Sequence, residues 1–142
     1  MSTCTFFGHR DYRGEKDDFL REAIRTCITS HHVDTFYVGN QGGFDRAVRR
    51  ILTELSVYYP FRYYIVLAYV PTTPDDIPPE YVEHTILPDG LEAVPPRFAI
   101  DRRNHWMIEH ADFVVAHITR THGGAAKFVN IAARKKRTVI WV

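Results

Sequence analysis

The chain has 142 residues, of which 45% are hydrophobic, 25% charged and 13% aromatic. That length allows one domain with a real core, and the apolar content excludes a disordered chain. Lys plus Arg total 18 against 17 Asp plus Glu, so the net charge of +1 lacks the basic excess of a dedicated nucleic-acid binder.

Thr3 to Phe7 is a short β-prone run ending at Gly8, followed by the polar loop GHRDYRG. Phe19, Leu20, Ala23, Ile24, Cys27 and Ile28 recur at helical spacing, with Glu15, Asp17 and Asp18 ahead of them, so a helix is predicted from Gly14 to Ser30. Thr35 to Val38 reads as the second strand, and the loop GNQGG leads into a second helix marked by Phe44, Ala47, Val48, Ile51, Leu52 and Leu55. Tyr63 to Val70 is a continuous apolar run, as in a strand buried on both faces.

The pattern then breaks. Pro71 to Ala99 holds seven of the eight prolines and no clear period, apart from a tight turn predicted at Leu87 to Gly90. Long irregular stretches in compact domains are often binding loops, and a solvated insertion is the equal alternative. Asp101 to His110 resumes as a helix, with Trp106 and Met107 expected in the core. Phe113 to Ile118 is the fourth strand. Ala125, Phe128, Val129, Ala132 and Ala133 mark the last helix, and Thr138 to Val142 the fifth strand.

Strands alternating with helices predict a three-layer α/β domain spanning 1–142, with an open parallel sheet of about five strands in the order 3-2-1-4-5 and an insertion at 71–99. The N-terminal residues carry no apolar run of signal-peptide length. The longest apolar stretch falls far short of the roughly 20 residues of a membrane helix. Cys4 and Cys27 form no paired motif, so a reduced, cytoplasmic protein with no membrane partner is expected. The eight histidines show no ligand spacing, and neither a metal nor a cofactor is expected.

Seven of the eight glycines fall in three clusters, each following a predicted strand. In an open α/β sheet, ligands bind beyond the carboxyl ends of the strands where the order reverses. The predicted order brings the loops after strands 1, 2 and 4 together there. Glycine permits close ligand approach, and helix N-termini offer free N–H groups, so this edge suits phosphate. The candidate binding residues are Gly8, His9 and Arg10 from the first loop, and Gly39, Gln41, Gly42, Gly43 and Asp45 from the second. Arg103 and Asn104, read as the start of the helix before the fourth strand, join them, as do Gly123, Gly124, Ala125 and Lys127 from the last loop. Asp45 has two readings, a helix-capping group or an acceptor for a ribose hydroxyl. His122 is either a ligand contact or a solvated loop residue. No catalytic residue is assigned.

Four segments carry a family resemblance: FFGHRDY at Phe6 to Tyr12, VGNQGGFDRA at Val38 to Ala47, RNHWMIEHADFVVA at Arg103 to Ala116, and HGGAAKFVNIA at His122 to Ala132. The chain resembles the SLOG superfamily of Rossmann-like nucleotide-ligand-binding proteins, and is most similar to its small stand-alone members of unknown function. The resemblance implies a sensor or binding module for a phosphorylated nucleotide or nucleotide-derived molecule. The superfamily includes the LOG phosphoribohydrolases, so an N-glycosidase acting on a nucleoside monophosphate is the alternative. Arg103 matches their arginine and Gly123-Gly124 their paired glycines, but Asn104 replaces the lysine and Asn130 stands at the glutamate position. Glycosidic hydrolysis needs a carboxylate, which only Asp45 or Asp11 is left to supply. Other members bind single-stranded DNA, which the near-zero net charge disfavours here. The aromatic run Tyr58, Tyr59, Phe61, Tyr63 and Tyr64 raises a homodimer surface as a further class, against buried sheet packing.

Overall fold

The computed structural model describes residues 2–70 and 77–142. Six parallel strands form one sheet: β1 (Ser2–Gly8), β2 (Val33–Val38), β3 (Arg62–Val66), β4 (Thr85–Ile86), β5 (Phe113–His117) and β6 (Thr138–Trp141). Their order is β4-β3-β2-β1-β5-β6. Without the two-residue edge strand β4, this is the expected 3-2-1-4-5 arrangement. The sixth strand corrects the expected five. Two residues carry no period, and β4 exists only through its pairing with Ile65 and Val66.

Four helices cover the sheet: α1 (Asp17–Thr29), α2 (Gly42–Leu55), α3 (Pro96–Glu109) and α4 (Gly124–Arg134). Alternation along β1 divides the core. Cys4 and Phe6 pack with Leu20, Ile24 and Cys27 of α1 and with Val48, Ile51 and Leu52 of α2. Phe7 points the other way, with Met107 and Ile108 of α3 and Phe128, Val129 and Ala132 of α4. The architecture is thus a three-layer, Rossmann-like α/β fold. No helix among the described residues is long and apolar enough to cross a membrane.

The aromatic run divides across this core. Tyr63 is buried, Phe61 packs against the same cluster, and Tyr58 stands exposed at the end of α2.

The proline-rich stretch holds more structure than its sequence pattern shows. Residues 71–76 lie outside the described part. Beyond them come 3-10 turns at Pro79–His84 and Leu91–Ala93, and the turn closed by Leu91 N–H to Pro88 O at 3.2 Å. The helix expected from Asp101 starts at Pro96, because proline at N1 forfeits only an N–H that has no helical acceptor. Arg103 therefore lies in the middle of α3, not at its start.

Candidate functional site: a crevice at the sheet switch point

β1 and β5 are neighbours, with Gly8 opposite His117 at their carboxyl ends. The chain leaves β1 toward the α1/α2 face and leaves β5 toward the α3/α4 face. The divergence opens a cavity of about 240 Å³. Gly8, His9 and Arg10 line it from the first loop, Gln41 and Asp45 from α2 and its approach, and Arg103 and Asn104 from α3. Gly123, Gly124 and Ala125 close it from the start of α4. Ten of the fourteen residues proposed from sequence thus meet in one place.

The remaining four do other work. A Cβ on Gly39 would stand 2.6 Å from Asp45 Oδ2 and 3.0 Å from Arg103 Cζ, so Gly39 makes room for both side chains. Gly42 has φ +86°, and a Cβ there would meet the Arg10 backbone at 2.6 Å. Gly43 donates its N–H to Arg10 O at 2.7 Å, and a Cβ on it would collide with the Tyr12 carbonyl oxygen. Lys127 is held by Asp101, with Nζ to Oδ1 at 2.7 Å, and lies outside the cavity lining.

The two helix N-termini differ. At α2, Gly43 N–H and Phe44 N–H donate to Arg10 O and His9 O, and Gln41 N–H donates to Asp45 Oδ2 at 3.0 Å. These donors are consumed by the protein itself, against the expectation of a phosphate-binding second loop. At α4 the first helical bond runs from Lys127 N–H to Gly123 O. The N–H groups of Gly124, Ala125 and Ala126 precede it and have no helical acceptor. Gly123, at φ +98°, caps this end, and neither it nor Gly124 has any atom near its missing side chain. This end of the crevice offers an anion three N–H groups without a helical acceptor, together with the positive end of the helix dipole.

Arg103 is only 2% exposed. Its Nη1 donates to Val66 O at 2.8 Å and Asn40 Oδ1 at 3.3 Å, and its Nε donates to Asn104 Oδ1 at 2.8 Å. Nη2 has no hydrogen-bond partner among the described residues. Asn104 thus orients Arg103 while lining the same wall. Asp45 faces Arg103 across Gly39. Burial pushes its carboxyl above the ordinary carboxylate range, and Arg103, a backbone bond from Gln41, Arg49 and Arg10 pull the other way. Both readings of Asp45 survive in part: Oδ2 caps α2, while Oδ1 accepts no hydrogen bond among the described residues.

His9 is buried, and its Nε2 accepts the Thr119 N–H at 3.0 Å. An accepting Nε2 places the proton on Nδ1, so the ring is a neutral donor. Burial, then the nearby Arg120, hold its pKa below the ordinary histidine value.

Arg120 is the principal site residue that sequence reasoning missed. It lines the cavity and makes a bidentate pair with Asp11, at 3.2 to 3.3 Å. The signal was there, a cation two residues beyond the fourth strand and three before the paired glycines. Phe6, Phe7, Ile100 and Met107 supply the apolar lining. Met107 was expected in the core and is buried there as well. His122 and Asn130 are exposed and outside the lining. Among the described residues, no group of three or more His, Cys, Asp or Glu could hold a metal ion.

No protein-family model matches this sequence, and no curated protein is significantly similar to it.

Proposed function

We propose that the protein binds a phosphorylated nucleotide or nucleotide-derived small molecule in this crevice, as a sensor or binding module of the kind its resemblance to the SLOG superfamily implies. The supporting observation is Arg103, a buried guanidinium with one nitrogen uncommitted among the described residues, in a cavity also lined by the N-terminus of α4. A buried cation without a full complement of partners is costly, and an anion bound there offsets the cost. The phosphoryl group sits against Gly123 to Ala126 with Arg10, Arg103 and Arg120, while Asp45 and Asn104 face the sugar or base. At about 240 Å³ the cavity falls below the roughly 300 Å³ at which drug-sized pockets begin, so one small ligand is held with part left in solvent. A thermal-shift panel of inorganic phosphate, mononucleotides, ADP-ribose and cyclic nucleotides tests this. Stabilisation by at least one nucleotide is expected, and none by any of them sinks the reading.

A second reading is an N-glycosidase acting on a nucleoside monophosphate. The observation in its favour is Asp45, a carboxyl group lining the cavity whose pKa burial raises above the ordinary carboxylate value, the direction that proton transfer by a carboxyl group requires. Asp11 is the weaker choice, because Arg120 holds its carboxyl below the ordinary range. Free base released from AMP, and lost in Asp45→Asn, is the expected outcome of this reading. No base after prolonged incubation removes it for that substrate.

A further inference from the structure

Arg10, Arg103 and Arg120 all line the cavity, but they are not equally available. Arg10 has no ion-pair partner among the described residues. Arg103 has no partner for Nη2 among the described residues. Arg120 is engaged by both oxygens of Asp11. Asp11 belongs to the loop after β1, and Arg120 to the loop after β5. The pair therefore bridges the two loops whose divergence makes the crevice.

The loop after β1 is also tied to the end of β5 and to the loop that follows it. His9 accepts the Thr119 N–H, Tyr12 meets the His117 ring edge-on at 5.3 Å, and Glu15 lies 3.8 Å from His117 Nε2. Each contact has a buried partner, His9, Tyr12 or His117, and none of them involves Asp11. The Asp11–Arg120 pair is not needed to hold the loops together, and its side chains are 69% and 38% exposed. An exposed pair of this kind is worth little and exchanges readily.

We infer that Asp11 is an internal competitor for Arg120: its carboxylate occupies the guanidinium in the free protein, and a bound phosphoryl group must take Arg120 away from it. A phosphate carries more charge than a carboxylate and gains the α4 N–H groups at the same time, so the exchange runs toward the ligand. Asp11 sets how much anion is needed before Arg120 closes over it. The inference rests on the ligand reading above.

The test is a double-mutant cycle, titrating inorganic phosphate and AMP separately into wild type, Asp11→Asn, Arg120→Ala and the double variant by calorimetry in low salt. Asp11→Asn is expected to tighten binding by about two- to fivefold, the range that a released surface pair supplies. In the Arg120→Ala background the same substitution is expected to change nothing. A wild-type-sized gain in both backgrounds would mean that Asp11 acts only through its distant charge, and overturns the inference. So does unchanged or weaker binding in Asp11→Asn while wild type binds normally. If neither wild type nor any variant binds phosphate or AMP while the other nucleotides of the panel do, the competitor idea alone fails. If nothing in the panel binds, the ligand reading has failed with it. Raising the salt to about 0.5 M is expected to bring Asp11→Asn and wild type together, since exposed charges are screened there.

Discussion

At Gly39 the absence of a side chain serves the site without touching a ligand. Its backbone is where Asp45 and Arg103 converge, at 2.6 and 3.0 Å from the Cβ it lacks. Both groups are confined, so Gly39→Ala forces one of them to move. A loss of about 1–3 kcal/mol in chemical denaturation is expected, as for other overpacked interiors, together with weaker phosphate binding because Arg103 is displaced. Unchanged stability would show that the Asp45 side chain can swing clear. His9 makes a prediction of the opposite kind, in pH. Its folded pKa lies below its ordinary value of 6.5, so the unfolded chain takes up the proton first on acidification. The stability it contributes is complete above about pH 6.5 and is lost as the pH falls from there through the folded value. Gln at this position can accept the Thr119 N–H and does not titrate. The melting temperature of wild type is expected to fall more than that of His9→Gln at each step from about pH 7 to pH 5. Parallel curves would assign the acid sensitivity to other groups.

Helix termini decide which loop can hold an anion, and they show where sequence reading ends. Five of the six strands, their order and the meeting of three glycine loops followed from alternating periodicity and from the topology such alternation permits. What the N–H groups of Gly43 and Phe44 do did not, because their acceptors, Arg10 O and His9 O, come from a loop more than thirty residues earlier. Arg103 was placed at the edge for an incorrect reason, a helix start, and reaches it from mid-helix because α3 begins at Pro96. The prolines that hid this start carry no apolar period to reveal it. Lys127 was chosen for its position, and only the folded chain brings Asp101 to it. The α4 terminus can be tested at the backbone. Gly124→Pro removes one N–H at the first helical position, where proline is tolerated and no atom lies near the missing side chain. Phosphate affinity is expected to fall about tenfold, the worth of one charge-assisted hydrogen bond, with the melting temperature nearly unchanged. Equal affinity would move the anion away from this helix.

For the molecule as a whole, a net charge of +1 says little about where its field is concentrated. Arg10, Arg103 and Arg120 share one cavity, while Arg134, Lys135 and Lys136 gather at the opposite end of α4, about 16 Å along its axis. If overall charge drew the ligand, losing a cation at either place would cost the same. If the local field does, only the crevice matters, since charges beyond about 10 Å are screened at ordinary ionic strength. A ligand at a hundred times its Kd stabilises the fold by about 2.7 kcal/mol, which for a domain of this size raises the melting temperature by roughly 8–12 °C. Arg10→Ala and Arg134→Ala each remove one positive charge from an exposed side chain. The ligand-induced shift is expected to shrink by several degrees in Arg10→Ala and to match wild type in Arg134→Ala. Equal losses in both would place the attraction in net charge and leave the glycine-lined crevice without a part in it.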